Sequence, residues 1–190
     1  MGTIVVSDNI SLDGVIQDPA GDEGFSRGGW VGAIKDRPEL AQLALDEALA
    51  ADAMLMGRRT YEWFASRWPS RTGPLADRLN AMPKYVVTST LEHPAWSNST
   101  VIGGHLLDEV SRLKAELDGT IVIPASARIA RTLVEHDLVD AMWLKVFPVV
   151  LGAGERLFGE TSGTKAMRLV ETRILDATAT YLGYERVAGT

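Results

Sequence analysis

The chain has 190 residues, 46% hydrophobic and 23% charged, enough for one globular domain with its own core. It contains no cysteine, which excludes disulfides, thiolate metal sites, iron–sulfur clusters and cysteine nucleophiles. A formal net charge of −6 argues against a broad surface for nucleic acid or anionic membrane. The first residues lack the basic start and long apolar run of a secretory signal, because Asp8 and Asp13 break it. Residues 141–154 come closest to a membrane span, and Lys145 interrupts them. The expectation is a cytoplasmic protein.

In chain order, Ile4-Val5-Val6 reads as a buried first strand bounded by Ser7-Asp8-Asn9. Residues 18–32 carry five glycines and Pro19. They form a long loop, either a lid over a binding site or a floppy surface insertion. Apolar residues at helical spacing predict a helix over 39–51, with Pro38 suited to its first turn. Ala53-Met54-Leu55-Met56 is a short strand that turns at Gly57 into a helix over 58–66. Strands follow at 84–88 and 100–102. A helix from Leu106 to Leu117 is closed by Gly119, and a strand lies at 120–123. Ile129, Leu133 and Val134 mark a further helix up to His136. Residues 139–151 then read as a central strand stopped near Pro148. Residues 167–175 and 178–187 are two more strands turning at Asp176-Ala177. Strand and helix alternate to about residue 138, which predicts an α/β fold. A mostly parallel sheet is covered by helices on both faces, with an antiparallel hairpin added by the tail. No repeat or linker divides the chain, so residues 1–190 are expected to form one domain.

Four turns could carry chemistry. Gly57-Arg58-Arg59-Thr60 joins a strand to a helix start, which favours an anion. The alternative is a solvated arginine pair beside a threonine cap. Thr88-Ser89-Thr90 ends a strand, where ligands of open α/β sheets bind, or makes a hydroxyl-rich turn. Pro124-Ala125-Ser126-Ala127-Arg128 leads through small residues into a helix, and suits a diphosphate or a plain Ser126 cap. Asp13, in Ser11-Leu12-Asp13-Gly14, could face a pocket and bind a heterocycle or relay a proton. It could equally shape an Asx turn. The three histidines are scattered without paired ligand spacing, so no metal site is expected. No Gly-x-Ser-x-Gly elbow appears.

Taken in order, Ser11-Leu12-Asp13-Gly14-Val15-Ile16, Gly57-Arg58-Arg59-Thr60-Tyr61-Glu62, Lys84-Tyr85-Val86-Val87-Thr88 and Phe147-Pro148-Val149-Val150-Leu151-Gly152-Ala153-Gly154 resemble the dihydrofolate reductase-like superfamily. The branch is the one related to the C-terminal reductase domain of bifunctional riboflavin-biosynthesis proteins. The resemblance runs from Ile4 to Tyr184. It implies a three-layer single domain, NADPH as cofactor, a homodimer, and hydride transfer to a small pterin- or pyrimidine-like substrate. It also implies that Gly57, Arg58, Arg59 and Thr60, with Thr88 and Ser89, hold the 2′-phosphate side of the cofactor. Ala125, Ser126, Ala127 and Arg128 would hold the diphosphate. Asp13 is then the candidate catalytic residue. Trp30, on the glycine-rich loop, together with Leu151 and Gly152, would line the substrate side. One position departs from the pattern: Ala125 stands where the family usually has glycine. A non-catalytic nucleotide- or ligand-binding module on the same fold is the alternative.

Overall fold

The computed structural model describes residues 1–32 and 37–187. Eight strands form one sheet: β1 (Thr3–Ser11), β2 (Ala53–Gly57), β3 (Lys84–Val87), β4 (Ser99–Ile102), β5 (Thr120–Pro124), β6 (Ala141–Phe147), β7 (Met167–Leu175) and β8 (Ala179–Arg186). Their order is β4-β3-β2-β5-β1-β6-β8-β7. The first six are mutually parallel, and β8 pairs antiparallel with both β6 and β7. The helices are α1 (Pro38–Ala50), α2 (Arg58–Ala65), α3 (Pro74–Ala81), α4 (Leu106–Glu116) and α5 (Ala127–Glu135).

Strand alternation sorts the core into layers. Ile4, Val6, Ile121 and Ile123 point to one face, where Val110 and Leu113 of α4 and Ala130 and Leu133 of α5 cover them. Met54, Met56, Val86 and Val122 point to the other, under Ala48 of α1, Tyr61 of α2 and Leu79 of α3. A third cluster, with Val15, Trp30, Leu43 and Phe147, lies against the hairpin residues Leu175, Ala179 and Tyr181.

The alternating α/β pattern and the terminal hairpin agree with the sequence reading; three details do not. The first strand does not stop at Ser7-Asp8-Asn9 but runs through them to Ser11. Polar side chains read as a boundary, yet the backbone of Asp8, Asn9 and Ile10 pairs with Leu144, Lys145 and Val146 of β6. Gly119 is not a left-handed helix cap, because α4 ends at Leu117 in extended backbone. Glycine is needed at 119 because a β-carbon there would collide with the Asp52 carboxylate, which accepts the Thr120 N–H at 2.8 Å. The short helix α3 had no strong apolar period to announce it. Its start, Gly73-Pro74, is marked only by a proline in the first turn.

Candidate functional site

The sheet opens between β2 and β5. These strands pair only at Ala53 with Ile121 and Met54 with Val122, although both run on to Gly57 and Pro124. α1 carries the chain from β1 to one side of the sheet and α5 carries it from β5 to the other. This reversal at the carboxyl ends of parallel strands is where open α/β sheets bind ligands. A cleft of about 830 Å³ lies there.

One end of the cleft is made by two helix starts. Gly57, Arg58, Arg59 and Thr60 open α2, and Ala125, Ser126, Ala127 and Arg128 open α5; all eight line the cleft. The two turns are tied together. The Gly57 N–H donates to Ser126 Oγ at 3.2 Å, and the Thr60 hydroxyl donates to the Ala125 carbonyl at 3.1 Å. Ser126 Oγ donates to Thr60 Oγ1 at 3.1 Å. Among the described residues no side chain caps either helix, which leaves the first-turn N–H groups and dipoles at this end of the cleft. Ala125 sits at φ 46°, in the left-handed region that glycine adopts freely. The turn thus keeps a glycine-like backbone with a methyl group on it.

Arg58 donates to Glu62 at 2.7 Å and to the Thr90 hydroxyl at 2.6 Å, while Arg59 pairs with Glu23. Thr88 and Ser89 do not line the cleft, although their neighbour Val87 does. Thr88 Oγ1 instead accepts the N–H groups of Thr90 and Leu91 at 3.1 and 3.2 Å, which sets the turn that presents Thr90 to Arg58.

The floor of the cleft holds charges that sequence reasoning passed over. Ser7, Asp8 and Asn9 of β1, Glu47 of α1 and Lys145 of β6 all line it. Lys145 donates to Ser7 Oγ at 2.7 Å and to both Glu47 oxygens at 3.0 and 3.1 Å, and Ser7 donates to Glu47 at 2.8 Å. Asp8 points to the opposite face of β1 and is only 5% exposed; its Oδ2 has no partner among the described residues. Burial pushes its carboxyl up to about 7, against the opposing pull of Lys145 and the Asn9 N–H; Glu47 and Glu155 push the same way as burial. The signal was legible in principle. Lysine inside an otherwise apolar strand, at 145, is a charge that a packed core does not admit without a reason.

Asp13, Trp30, Leu151 and Gly152 lie together beside the third core cluster, outside the cleft lining. The Asp13 carboxylate accepts the N–H groups of Leu151 and Gly152 at 3.0 and 2.8 Å and the Ser11 hydroxyl at 2.8 Å. These bonds, that from Leu151 first, hold it down at about 2. Asp13 therefore clamps the turn after β6 to the end of β1. Trp30 packs edge-on against Phe147 at 5.5 Å and donates its indole N–H to the Gln17 carbonyl at 3.0 Å. The loop that Trp30 anchors does reach the cleft through Asp18, Pro19, Ala20 and Glu23. It is ordered from within, since the Asp18 carboxylate accepts four backbone N–H groups, from Gly21, Asp22, Glu23 and Phe25. Glu23 with Arg59, and Asp22 with Trp63 and Arg67, tie it to α2 and the residues just after it.

The RibD C-terminal domain model matches residues 3–181. The chain belongs to that family. Among curated relatives it is 25% identical to the uncharacterized protein YyaP of Bacillus subtilis over 138 residues, covering 70% of this chain and 73% of that one. It is 30% identical to YwjB of the same organism over 122 residues, covering 64% and 67%. A solved structure from Shewanella sp. PV-4, named for riboflavin biosynthesis, superposes with a TM-score of 0.77 at 23% identity over 97% of this chain and 99% of that one. Dihydrofolate reductase from Enterococcus faecalis, complexed with NADP(H) and RAB-propyl, gives 0.59 at 16% identity over 97% and 96%. A pyrimidine reductase-like protein from Corynebacterium diphtheriae gives 0.65 at 15% identity over 98% and 92%. The fold is therefore dihydrofolate reductase-like, in the RibD C-terminal branch. No helix among the described residues is long and apolar enough to cross a membrane.

Proposed function

We propose that the chain is an NADPH-dependent reductase of the cytoplasm, acting on a small pterin- or pyrimidine-like heterocycle. The observation that carries this reading is the polarity of the cleft. Two uncapped helix starts and three arginines lie at one end, and Asp8, a buried carboxyl with an oxygen unpartnered among the described residues, lines the cleft from the other face of β1. Family membership and the reductases that share the fold support it.

The residues present fit the cofactor. The left-handed Ala125 turn and the free first turn of α5 suit a diphosphate. Among the described residues, Arg58 and Arg59 are held by carboxylate and hydroxyl partners at the surface, contacts of small net worth that a dianionic phosphate can replace. When bound, the nicotinamide supplies the hydride. The chain supplies the remainder. The helix starts orient the cofactor, and the loop from Asp18 to Glu23 shields one side of the cleft. Glu47, fixed by Lys145 and Ser7, accepts donor groups of the heterocycle. Asp8, protonated below about pH 7, delivers the proton to the reduced C=N or C=O group. Asp13 stays ionised and keeps a positioning role.

Isothermal titration tests the reading. NADPH should bind at micromolar levels and NADH at least about tenfold more weakly, and Arg58→Ala should erase the difference. Absence of NADPH binding at millimolar concentration would sink the proposal. Tight binding without turnover of any pterin or pyrimidine would favour the non-catalytic module, the reading that the methyl group of Ala125 invites.

The reading includes a homodimer. β7 is an edge strand that exposes Leu169, Val170 and Ile174, the last 75% exposed, and a second copy would cover this row.

A further inference from the structure

Arg58 and Arg59 are neighbours at the start of α2 but are held differently. Arg58 pairs with Glu62, one turn along its own helix. Arg59 pairs with Glu23, from the loop that follows β1. β5 lies between β1 and β2, so this second pair spans the mouth of the cleft. Both of its side chains line the cleft, and the Arg59 side chain is 68% exposed, open to an incoming anion.

The backbone beneath Glu23 is pinned. The buried Asp18 carboxylate accepts the Glu23 and Phe25 N–H groups at 3.1 and 3.0 Å. Asp22 accepts the Trp63 indole N–H at 3.0 Å and pairs with Arg67, which lies over the Trp63 ring. The Glu23 side chain is therefore the part that can swing while the loop stays in place. One carboxylate oxygen from each of Asp18, Asp22 and Glu23 lies within 4.8 Å of the other two. Backbone N–H groups compensate Asp18 and Arg67 compensates Asp22, which leaves Arg59 as the counter-charge of Glu23. A phosphate that takes Arg59 for itself strands Glu23 beside two carboxylates. One that shares Arg59 sets a dianion next to the Glu23 carboxylate. Both arrangements cost affinity, and a cofactor without that phosphate loses none.

We propose that Glu23 is a specificity-determining residue: it occupies Arg59 as an internal stand-in for the cofactor's 2′-phosphate. Exchange at Arg59 then replaces one ion pair by another and yields little, so Arg58 carries the preference for NADPH over NADH in the wild-type chain. Removing the Glu23 charge turns Arg59 into a second phosphate ligand. The proposal rests on the reductase reading for the identity of the anion, and on the Arg59–Glu23 pair for the remainder.

The test is calorimetry of NADPH, NADH and adenosine 2′-monophosphate with the wild type, Glu23→Gln, Arg58→Ala and the double variant. Glu171→Gln, on the edge strand β7 at the far side of the sheet, controls for the loss of one negative charge. Glu23→Gln should bind NADPH and the monophosphate about threefold more tightly, the scale of a surface ion pair, and NADH no more tightly than the wild type does. The double variant should keep a preference for NADPH of about threefold, which Arg58→Ala alone lacks. If the double variant does not fold, the Glu23→Gln ratios decide alone. Equal gains for NADPH and NADH would mean that the side chain merely covers the site, and would overturn the proposal. The same gain in Glu171→Gln would also overturn it. NADPH binding that Glu23→Gln leaves unchanged removes this inference and keeps the reductase. A protein that binds neither NADPH nor the monophosphate removes the reductase reading, and this inference with it.

Discussion

Asp8, with its buried carboxyl, and Ala125, with its left-handed backbone, are the two costly residues of the site. A carboxyl kept protonated by burial makes stability depend on pH. Below about pH 4 it is protonated in both folded and unfolded chains. Between about 4 and 7 the unfolded chain releases the proton while the folded chain keeps it, so stability falls as pH rises; above about 7 the loss is complete. Asp8→Asn should flatten this part of the profile, measured by urea unfolding at pH 5 and pH 8. If Asp8 delivers the proton, wild-type turnover should fall as pH rises through about 7, and Asp8→Asn should cost about 100-fold or more in kcat/KM. Turnover unchanged in the variant would remove Asp8 from the chemistry. At Ala125 the left-handed backbone costs the chain roughly 1 kcal/mol. Ala125→Gly should raise Tm by about 2–4 °C without weakening NADPH binding.

At the scale of elements, α1 and the terminal hairpin depend on each other. Among the described residues no neighbour caps α1; the Glu39 and Leu40 N–H groups donate instead to the Asp176 carboxylate at 3.2 and 3.0 Å. Asp176 and Ala177 have φ of 49° and 51°, and the Thr178 N–H closes on the Leu175 carbonyl at 2.9 Å, as in a type I′ turn. Asp176→Ala should destabilise the protein by about 1 kcal/mol, the usual cost of losing a cap, whereas Ala177→Gly should stabilise it by a similar amount. Chemical denaturation of both variants checks the pair of signs. The elements themselves were mostly legible. The apolar period gave α4, and β-branched runs gave β3 and β5. The turn at Asp176-Ala177 was visible between two strands, but its second task as a helix cap was not. The capped N–H groups lie 136 and 137 residues away.

For the whole molecule, the exposed edge of β7 is the feature that a second copy would use. Ile174→Lys should shift a dimer to monomer in sedimentation velocity without changing its circular dichroism. A wild-type chain that sediments as a monomer at micromolar concentration would refute the homodimer.

The α/β class, the parallel sheet and the hairpin followed from local hydrophobic period and turn residues, because burial on one or both faces dictates that pattern before any long-range contact forms. The turns at Gly57 and Ala125 were legible for the same reason, as strand ends running into helix starts. The strand order decided that they meet, since only the pairing of β2 with β5 brings Gly57 within hydrogen-bond reach of Ser126. Tertiary structure alone showed that Ser7 and Asp8 lie inside a strand, and that Lys145 is matched by Glu47 from 98 residues away. It alone showed Asp13 clamping a loop outside the cleft. The physical reason is common to all three. A charge in a sequence carries no sign of whether folding leaves it in water, pairs it or buries it, and its chemistry depends on which of these occurs.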